Sequence, residues 1–184
     1  MNNERGNIVF GVFWEFLEAI VFAAAIFTIV YLFVFQPNQV SGNSMYPTFH
    51  DKEYILTDKV SYRLSQPGRD DVVVFKSPPN PEKDYIKRII AIPGDSVMVK
   101  LGKVYLNGEL LSEDFLPPDV YTQANTFLRE GEGYTVPSDS YIVMGDNRGG
   151  SDDSRHWGVV TKGEFIGKVF FRYLPITRFG MTPR

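Results

Sequence analysis

The chain has 184 residues, 19 Lys and Arg against 22 Asp and Glu for a net charge of −3, 43% apolar residues and no cysteine. That length fits one domain, or one with an appendage, and the near-neutral charge argues against a nucleic-acid binder, which would usually need a basic face for phosphate. The lack of cysteine excludes a disulfide scaffold, a thiolate nucleophile and a zinc site built on sulfur, while leaving the compartment open.

Residues 1–35 hold nine aromatic residues, no proline and four charges, Glu4, Arg5, Glu15 and Glu18. The seventeen residues 19–35 carry no charge at all. As a helix that run spans roughly 25 Å, slightly less than the ~30 Å hydrocarbon core, and extension back to Phe10 supplies the missing length. A short N-terminus at 1–9 and a transmembrane anchor helix at 10–35 are therefore expected. The extension takes in Glu15 and Glu18, one turn apart near one end, where interfacial carboxylates stay hydrated or protonate; an intramembrane role stays open. A cleaved secretory signal would have a basic start, a shorter apolar run and small residues at its end. Here a single Arg precedes the run and Phe35-Gln36-Pro37 closes it, so an uncleaved anchor is expected. With Arg5 alone before the span and Lys52 the first cation after it, charge leaves the orientation undetermined.

After Pro37, short runs rich in Val, Ile, Tyr and Phe at 54–56, 72–75, 85–92, 96–100, 141–144 and 168–173 alternate with Gly, Pro, Asn and Asp. This pattern predicts a mainly β domain. Asn107-Gly108 between two apolar runs predicts a type I′ hairpin, since both turn positions need positive φ. Pro78, Pro79 and Pro81 predict a loop, as do Pro117 and Pro118. No internal repeat or low-complexity tract is visible, so one β unit at 36–184 with a looser middle at about 102–138 is expected.

Three clusters carry the polar groups of interest: Ser41-Gly42-Asn43-Ser44-Met45-Tyr46-Pro47-Thr48, then Tyr85-Ile86-Lys87-Arg88-Ile89-Ile90-Ala91-Ile92-Pro93-Gly94-Asp95, then the stretch 145–155 from Gly145-Asp146-Asn147-Arg148 to Ser151-Asp152-Asp153-Ser154-Arg155. Taken singly, they also fit a linker, a buried strand with a turn and a polar loop. Lys87 distinguishes the second, because a strand there sets its ammonium among apolar neighbours. Burial without an anion depresses a lysine pKa from about 10.4 toward the ~7–8 of a general base, which destabilises the charged form by roughly 3–4 kcal/mol. A snorkelling strand-edge lysine, with Arg88 on the opposite face, is the competing reading. Neither His50 nor His156 sits in a G-x-S-x-G context, H-E-x-x-H and the phosphate-loop signature are absent, and Arg148 interrupts an EF-hand pattern. Asp146, Asp152 and Asp153 leave metal binding as a lesser option beside salt bridges to Arg148 and Arg155. Ser44 with a neutral Lys87 is the one nucleophile and base pair the sequence offers.

The three clusters in this order, behind one hydrophobic span, resemble the bacterial type I signal peptidases, also called leader peptidases. The single span and short middle region are similar to the shorter, Gram-positive-like members. Arg69-Asp70-Asp71-Val72-Val73-Val74-Phe75 is similar to the family's strand box. The resemblance implies a signal-peptidase-like β-sheet catalytic domain with an N-terminal transmembrane helix, acting as a membrane-bound serine endopeptidase. In that scheme Ser44 is the acylating nucleophile and Lys87 the general base; Ser151 orients the amine, and an Asp153–Arg155 ion pair holds the last loop. Val40, Met45, Tyr85 and Ile86 would line shallow pockets that admit small residues at the first and third positions before the cut, giving Ala-x-Ala-type sites. Gly42 stands where some members have a Ser that helps the oxyanion hole, so the Ser44 backbone N–H would carry more of that role. Gly149-Gly150 replaces bulkier polar residues often found in the last box. Lys87 separates the chain from endoplasmic-reticulum relatives, which carry His at the base position.

The resemblance implies no cofactor and no metal. Expected partners are signal-peptide-bearing preproteins and the lipid bilayer, with the secretion translocon nearby and no nucleic acid. The expected location is the cell membrane, single-pass, with the N-terminus cytoplasmic and the catalytic domain extracytoplasmic. Two alternatives stay open: a related anchored Ser/Lys endopeptidase with a dedicated precursor substrate, and a catalytically silent anchored binding module.

Overall fold

A computed structural model describes residues 2–182, with side chains from residue 11 onward apart from Leu32. Met1 of the expected 1–9 segment, and the side chains of Glu4 and Arg5, lie outside the described residues. Helix α1 (Asn2–Phe33) contains the apolar stretch Gly11–Tyr31, 21 residues with a mean hydropathy of 2.0, long and apolar enough to cross a membrane. None of that stretch is buried against protein, so its apolar surface needs a non-aqueous partner. The helix extends earlier than residue 10 and stops short of the expected 35. By Phe35 the chain is already paired in register with Asp58 of the sheet.

Apart from two short 3-10 turns (Lys162–Glu164 and Ile176–Arg178), the remaining elements in chain order are β1 (Phe35–Gln39), β2 (Tyr54–Asp58), the single turn α2 (Ser61–Leu64), β3 (Val72–Ser77), β4 (Asn80–Ala91), β5 (Ser96–Lys100), β6 (Lys103–Leu106), β7 (Glu109–Leu110), β8 (Gly133–Thr135), β9 (Ser140–Met144), α3 (Ser154–Trp157), β10 (Val160–Thr161), β11 (Phe165–Leu174) and β12 (Gly180–Met181). They form an eight-stranded sheet in the order β1-β2-β11-β3-β4-β9-β10, with β12 on β11, and a four-stranded sheet in the order β7-β6-β5-β8. All paired strands are antiparallel.

β3 shows why these residues make this sheet. Val72 and Val74 pack on one face with Val40, Met45, Phe49 and Ile55, while Val73 and Phe75 pack on the other with Tyr62, Ile89, Tyr141 and Val143. Both faces are buried, so the strand reads as a continuous apolar run rather than an alternation. A third cluster, including Ile90, Val97, Val99, Val104, Leu128, Ile142 and Met144, joins the two sheets. Asn107 and Gly108 have φ of +55° and +88°, as a type I′ turn requires.

The middle segment is more organised than its composition suggests. It contributes β6, β7 and β8, and buries Leu128 and Val136 in the shared core. The stretch 111–129 has no helix or strand, yet the N–H groups of Phe127 and Leu128 donate to Arg155 O at 2.9 and 3.0 Å. Pro81 lies inside β4 and not in a loop. β9 pairs with β4 only at Arg88, Ile89 and Ala91, so Pro81 removes no ladder bond on that side. The same asymmetry leaves the 84–87 edge of β4 unpaired opposite β3, and β1 is likewise paired only with β2.

Candidate active site

Side chains alternate along β4, so Lys87 and Arg88 leave the strand on opposite sides. Ser44 reaches Lys87 because the chain turns back sharply after β1. Val40 N–H donates to Glu53 O at 2.8 Å, Tyr46 N–H to Asn43 O at 3.1 Å, and Phe49 N–H to Met45 O at 2.8 Å. Gly42 has φ +87° and donates its N–H to Asp51 Oδ1 at 2.7 Å. A side chain at position 42 would strain this left-handed conformation, which accounts for glycine there.

Lys87 Nζ donates to Ser44 Oγ at 2.8 Å, and the lysine is only 4% exposed. Burial lowers its pKa from 10.5 to about 8, assisted by Arg155 and opposed by the charges of Asp153, Asp152 and Asp146. The amine also lies 5.3 Å from the centre of the Tyr85 ring. Holding the proton in the folded chain costs about 3 kcal/mol more than in water. The unfolded chain keeps that proton up to about pH 10.5 and the folded chain only to about 8. The penalty is therefore fully present below pH 8 and is relieved as pH rises between these two values. Such a cost is the mark of a site that needs a neutral amine near neutrality.

A cleft of about 290 Å³ opens over this pair. Asn38, Gln39 and Val40 at the end of β1 line one wall, and Asp84, Tyr85, Ile86 and Lys87 on the open edge of β4 line the other; Ile55 and Val74 also line it. Of the residues expected to contact substrate, Val40, Tyr85 and Ile86 line this cleft. Met45 does not: it is fully buried with Phe49, Ile55 and Val72, because the turn that exposes Ser44 sends the next side chain into the core.

The loop 145–155 closes the site from the far side. Asn147 N–H donates to Ser44 O at 3.0 Å, and Asn147 Nδ2 donates to Asn43 O at 3.0 Å. A Cβ at Gly145 would lie 2.4 Å from Ser44 O and 2.2 Å from Ser151 Oγ, so glycine lets the two loops touch. Asp153 accepts from Arg155 Nε and Nη2, each at 2.8 Å, and from Gly145 N–H at 3.0 Å, which forms the expected ion pair and ties α3 to the end of β9. Ser151 departs from expectation. Its Oγ is buried and makes no hydrogen bond, so in this structure the Ser44 hydroxyl, and not Ser151, is the oxygen on the Lys87 amine. Asp146 pairs with Arg88 and not with Arg148; Arg148 turns to Glu113 and to Thr122 Oγ1 at 2.9 Å. Ion pairs thus occupy Asp146 and Asp153, while Asp152 lies against His156.

Comparison with known proteins gives this geometry a family. The model of the family described as signal peptidase, peptidase S26, matches residues 13–174. The chain belongs to this signal peptidase family. It is 39% identical over 155 residues to signal peptidase I of Bacillus caldolyticus, covering 80% of this chain and 84% of that one. Against the probable signal peptidase I-2 of a Synechocystis species identity is 36%, covering 90% of this chain and 73% of the relative. Against signal peptidase IB of Staphylococcus aureus it is 32%, covering 90% and 93%. A crystal structure of a signal peptidase I from Enterococcus faecalis, 33% identical, covers 56% of this chain and 97% of its own, with a TM-score of 0.48.

Within this signal peptidase, reading the sequence left several cleft residues unidentified. Asn38 and Gln39 carry no motif signal, Asp84 ends the charged run Glu82-Lys83-Asp84, and Asp152 was legible only as a lesser metal option or an ion-pair partner. The Arg88–Asp146 pair had a usable signal: on a strand buried on both faces, an Arg beside a buried Lys must also be buried and must find an anion.

Proposed function

We propose that the chain is a membrane-anchored serine endopeptidase that removes signal peptides from exported preproteins, with Ser44 as nucleophile and Lys87 as general base. The observation that carries this reading is the 2.8 Å contact between Lys87 Nζ and Ser44 Oγ under a cleft bordered by the open edge of β4. An extended substrate segment adds to that edge by backbone hydrogen bonds, and the apolar walls at Val40 and Ile86 suit small residues at the first and third positions before the cut.

The neutral Lys87 amine takes the Ser44 proton as Oγ attacks the carbonyl carbon before the scissile bond. The oxygen becomes an oxyanion held by the Ser44 backbone N–H. The Lys87 ammonium then gives its proton to the departing amine, the C–N bond breaks, and an acyl-serine remains. Neutral again, Lys87 takes a proton from water; the hydroxide adds to the ester, and the proton returns to Ser44 Oγ as the acid leaves.

Placement supports the same substrate. Only Val34 separates α1 from β1, and the Phe35 ring packs on Phe170 at 5.3 Å. Ser44 lies nine residues beyond Phe35, hence within ~30 Å of the bilayer surface even if that link were fully extended. A signal peptide's cleavage site follows its apolar segment at this same level. We place the start of α1 in the cytoplasm, one crossing by the apolar stretch Gly11–Tyr31 of α1, and the domain from β1 onward outside, close to the translocon that delivers preproteins.

The test uses the full chain in detergent with a purified preprotein carrying an Ala-x-Ala site, with N-terminal sequencing of the product. The expected product begins directly after that site, and kcat/KM rises with pH to a plateau above about 8, where Lys87 is neutral. An uncut preprotein, or a rate that stays flat through that pH, contradicts the reading.

A further inference from the structure

Two carboxylates border the active-site cleft, Asp84 and Asp152. They differ in what answers their charge. Asp84 accepts from Lys76 Nζ at 2.7 Å, so a cation already neutralises it. Among the described residues Asp152 forms no ion pair with Lys or Arg; the ring of His156 lies against it, Nδ1 at 2.9 Å, and carries charge only when protonated. The Asp152 side chain is 53% exposed, open to whatever enters the cleft beside it.

Its position along the cleft is set by the elements that carry it. On β4 the residues Asp84, Tyr85, Ile86 and Lys87 run in that order toward the Ser44 contact. Asp152 comes instead from the loop 145–155, which meets the nucleophile turn through Asn147 N–H and Ser44 O at 3.0 Å. In the reading above the segment before the cut lies on Tyr85 and Ile86 of β4, whereas Asp152 reaches the same cleft from the loop that touches Ser44. The Asp152 charge is felt at the Lys87 amine itself, where it favours the protonated form.

We propose that Asp152 is a specificity-determining residue that reads the charge of the first residues after the cut, favouring Lys or Arg there over Asp or Glu. The proposal rests on the Ser44/Lys87 reading above, because it needs the scissile bond at Ser44. A half-exposed carboxylate about 6 Å from a substrate charge, in a medium between bulk water and protein surface, changes binding by about tenfold for each sign. Since the site is open to solvent, added salt weakens the effect.

The experiment uses the full chain in detergent and three preproteins that differ only at the first position after the cut, Lys, Ala or Asp. In low salt the Lys:Asp ratio of kcat/KM is expected to be at least about tenfold for the wild type, to fall toward one for Asp152→Asn and to invert for Asp152→Lys. Each ratio is taken within one variant, so a change in the amount of folded enzyme cancels. Equal ratios in the wild type and Asp152→Asn overturn the proposal while leaving the protease reading intact. Failure of the wild type to cut any of the three overturns the protease reading and this proposal with it.

Discussion

Ser44→Ala and Lys87→Ala are each expected to lower kcat/KM for preprotein cleavage by at least about 10³-fold, because one removes the atom that forms the acyl bond and the other its only proton acceptor. Lys87→Arg is expected to be as inactive, although it keeps a cation at that position. A guanidinium stays protonated at any working pH and has no lone pair for the Ser44 proton. Lys87→Met separates lost chemistry from lost fold. It fills the same space without a buried charge, so at neutral pH it should stabilise the chain by roughly 1–3 kcal/mol while abolishing cleavage. Thermal melting of the full chain in detergent, followed by circular dichroism, checks the stability, and product analysis checks the activity. Retained cleavage in any of these variants removes the dyad. A less stable Lys87→Met chain removes the claim that the amine is held under strain by burial.

The second large effect concerns the other face of β4. Arg88 and Asp146 are both fully buried, with Nε–Oδ1 at 3.0 Å and Nη2–Oδ2 at 2.8 Å; Arg88 also donates to Asp70 O at 2.9 Å. Its guanidinium lies 4.0 Å from the centre of the Phe115 ring. Removing Asp146 takes the bidentate carboxylate from a buried guanidinium, and removing Arg88 takes the guanidinium from a buried carboxylate. Asp146→Ala should therefore cost about 3–5 kcal/mol, on the order of a 10 °C fall in melting midpoint. Activity should fall with it, because Asp146 sits between Gly145 and Asn147, which hold the loop against Ser44. Replacing both partners by apolar residues, Arg88→Met with Asp146→Leu, should recover much of the stability, since a buried pair gains little over good packing. An unchanged midpoint in Asp146→Ala would show that the pair holds nothing together.

Legibility from sequence followed the strength of local constraint. β5 was readable residue for residue because Val97 and Val99 face the core between exposed Ser96 and Lys100, and 72–75 within β3 was also legible, because burial on two faces leaves a run of apolar, mostly β-branched residues. Asn107-Gly108 was readable because only such residues accept positive φ twice in succession. β1 was not: Phe-Gln-Pro-Asn-Gln has no strand signature, and it pairs only because β2 offers it an edge. Lys87 announced itself through its apolar neighbours, which are the cause of its lowered pKa. Met45 was misplaced because sequence gives the nucleophile's position but not the side to which the following side chain turns. Ser151 was misplaced for a related reason: whether its hydroxyl meets Lys87 depends on a distance between a loop and a strand far apart in the chain, on which local pattern is silent.

Because the chain has no cysteine, a Lys87→Cys variant carries a single thiol, and alkylation with bromoethylamine rebuilds a side chain of lysine's length with sulfur in place of one methylene. The electron-withdrawing sulfur makes that amine less basic than lysine. The most direct measurement is the pH dependence of kcat/KM for preprotein cleavage before and after this alkylation. Lys87→Cys should be inactive, and alkylation should restore cleavage with its acidic limb moved below the wild-type position near pH 8. Restored cleavage with an unmoved limb, or no restoration once the amine is back beside Ser44, would contradict a neutral Lys87 as the base.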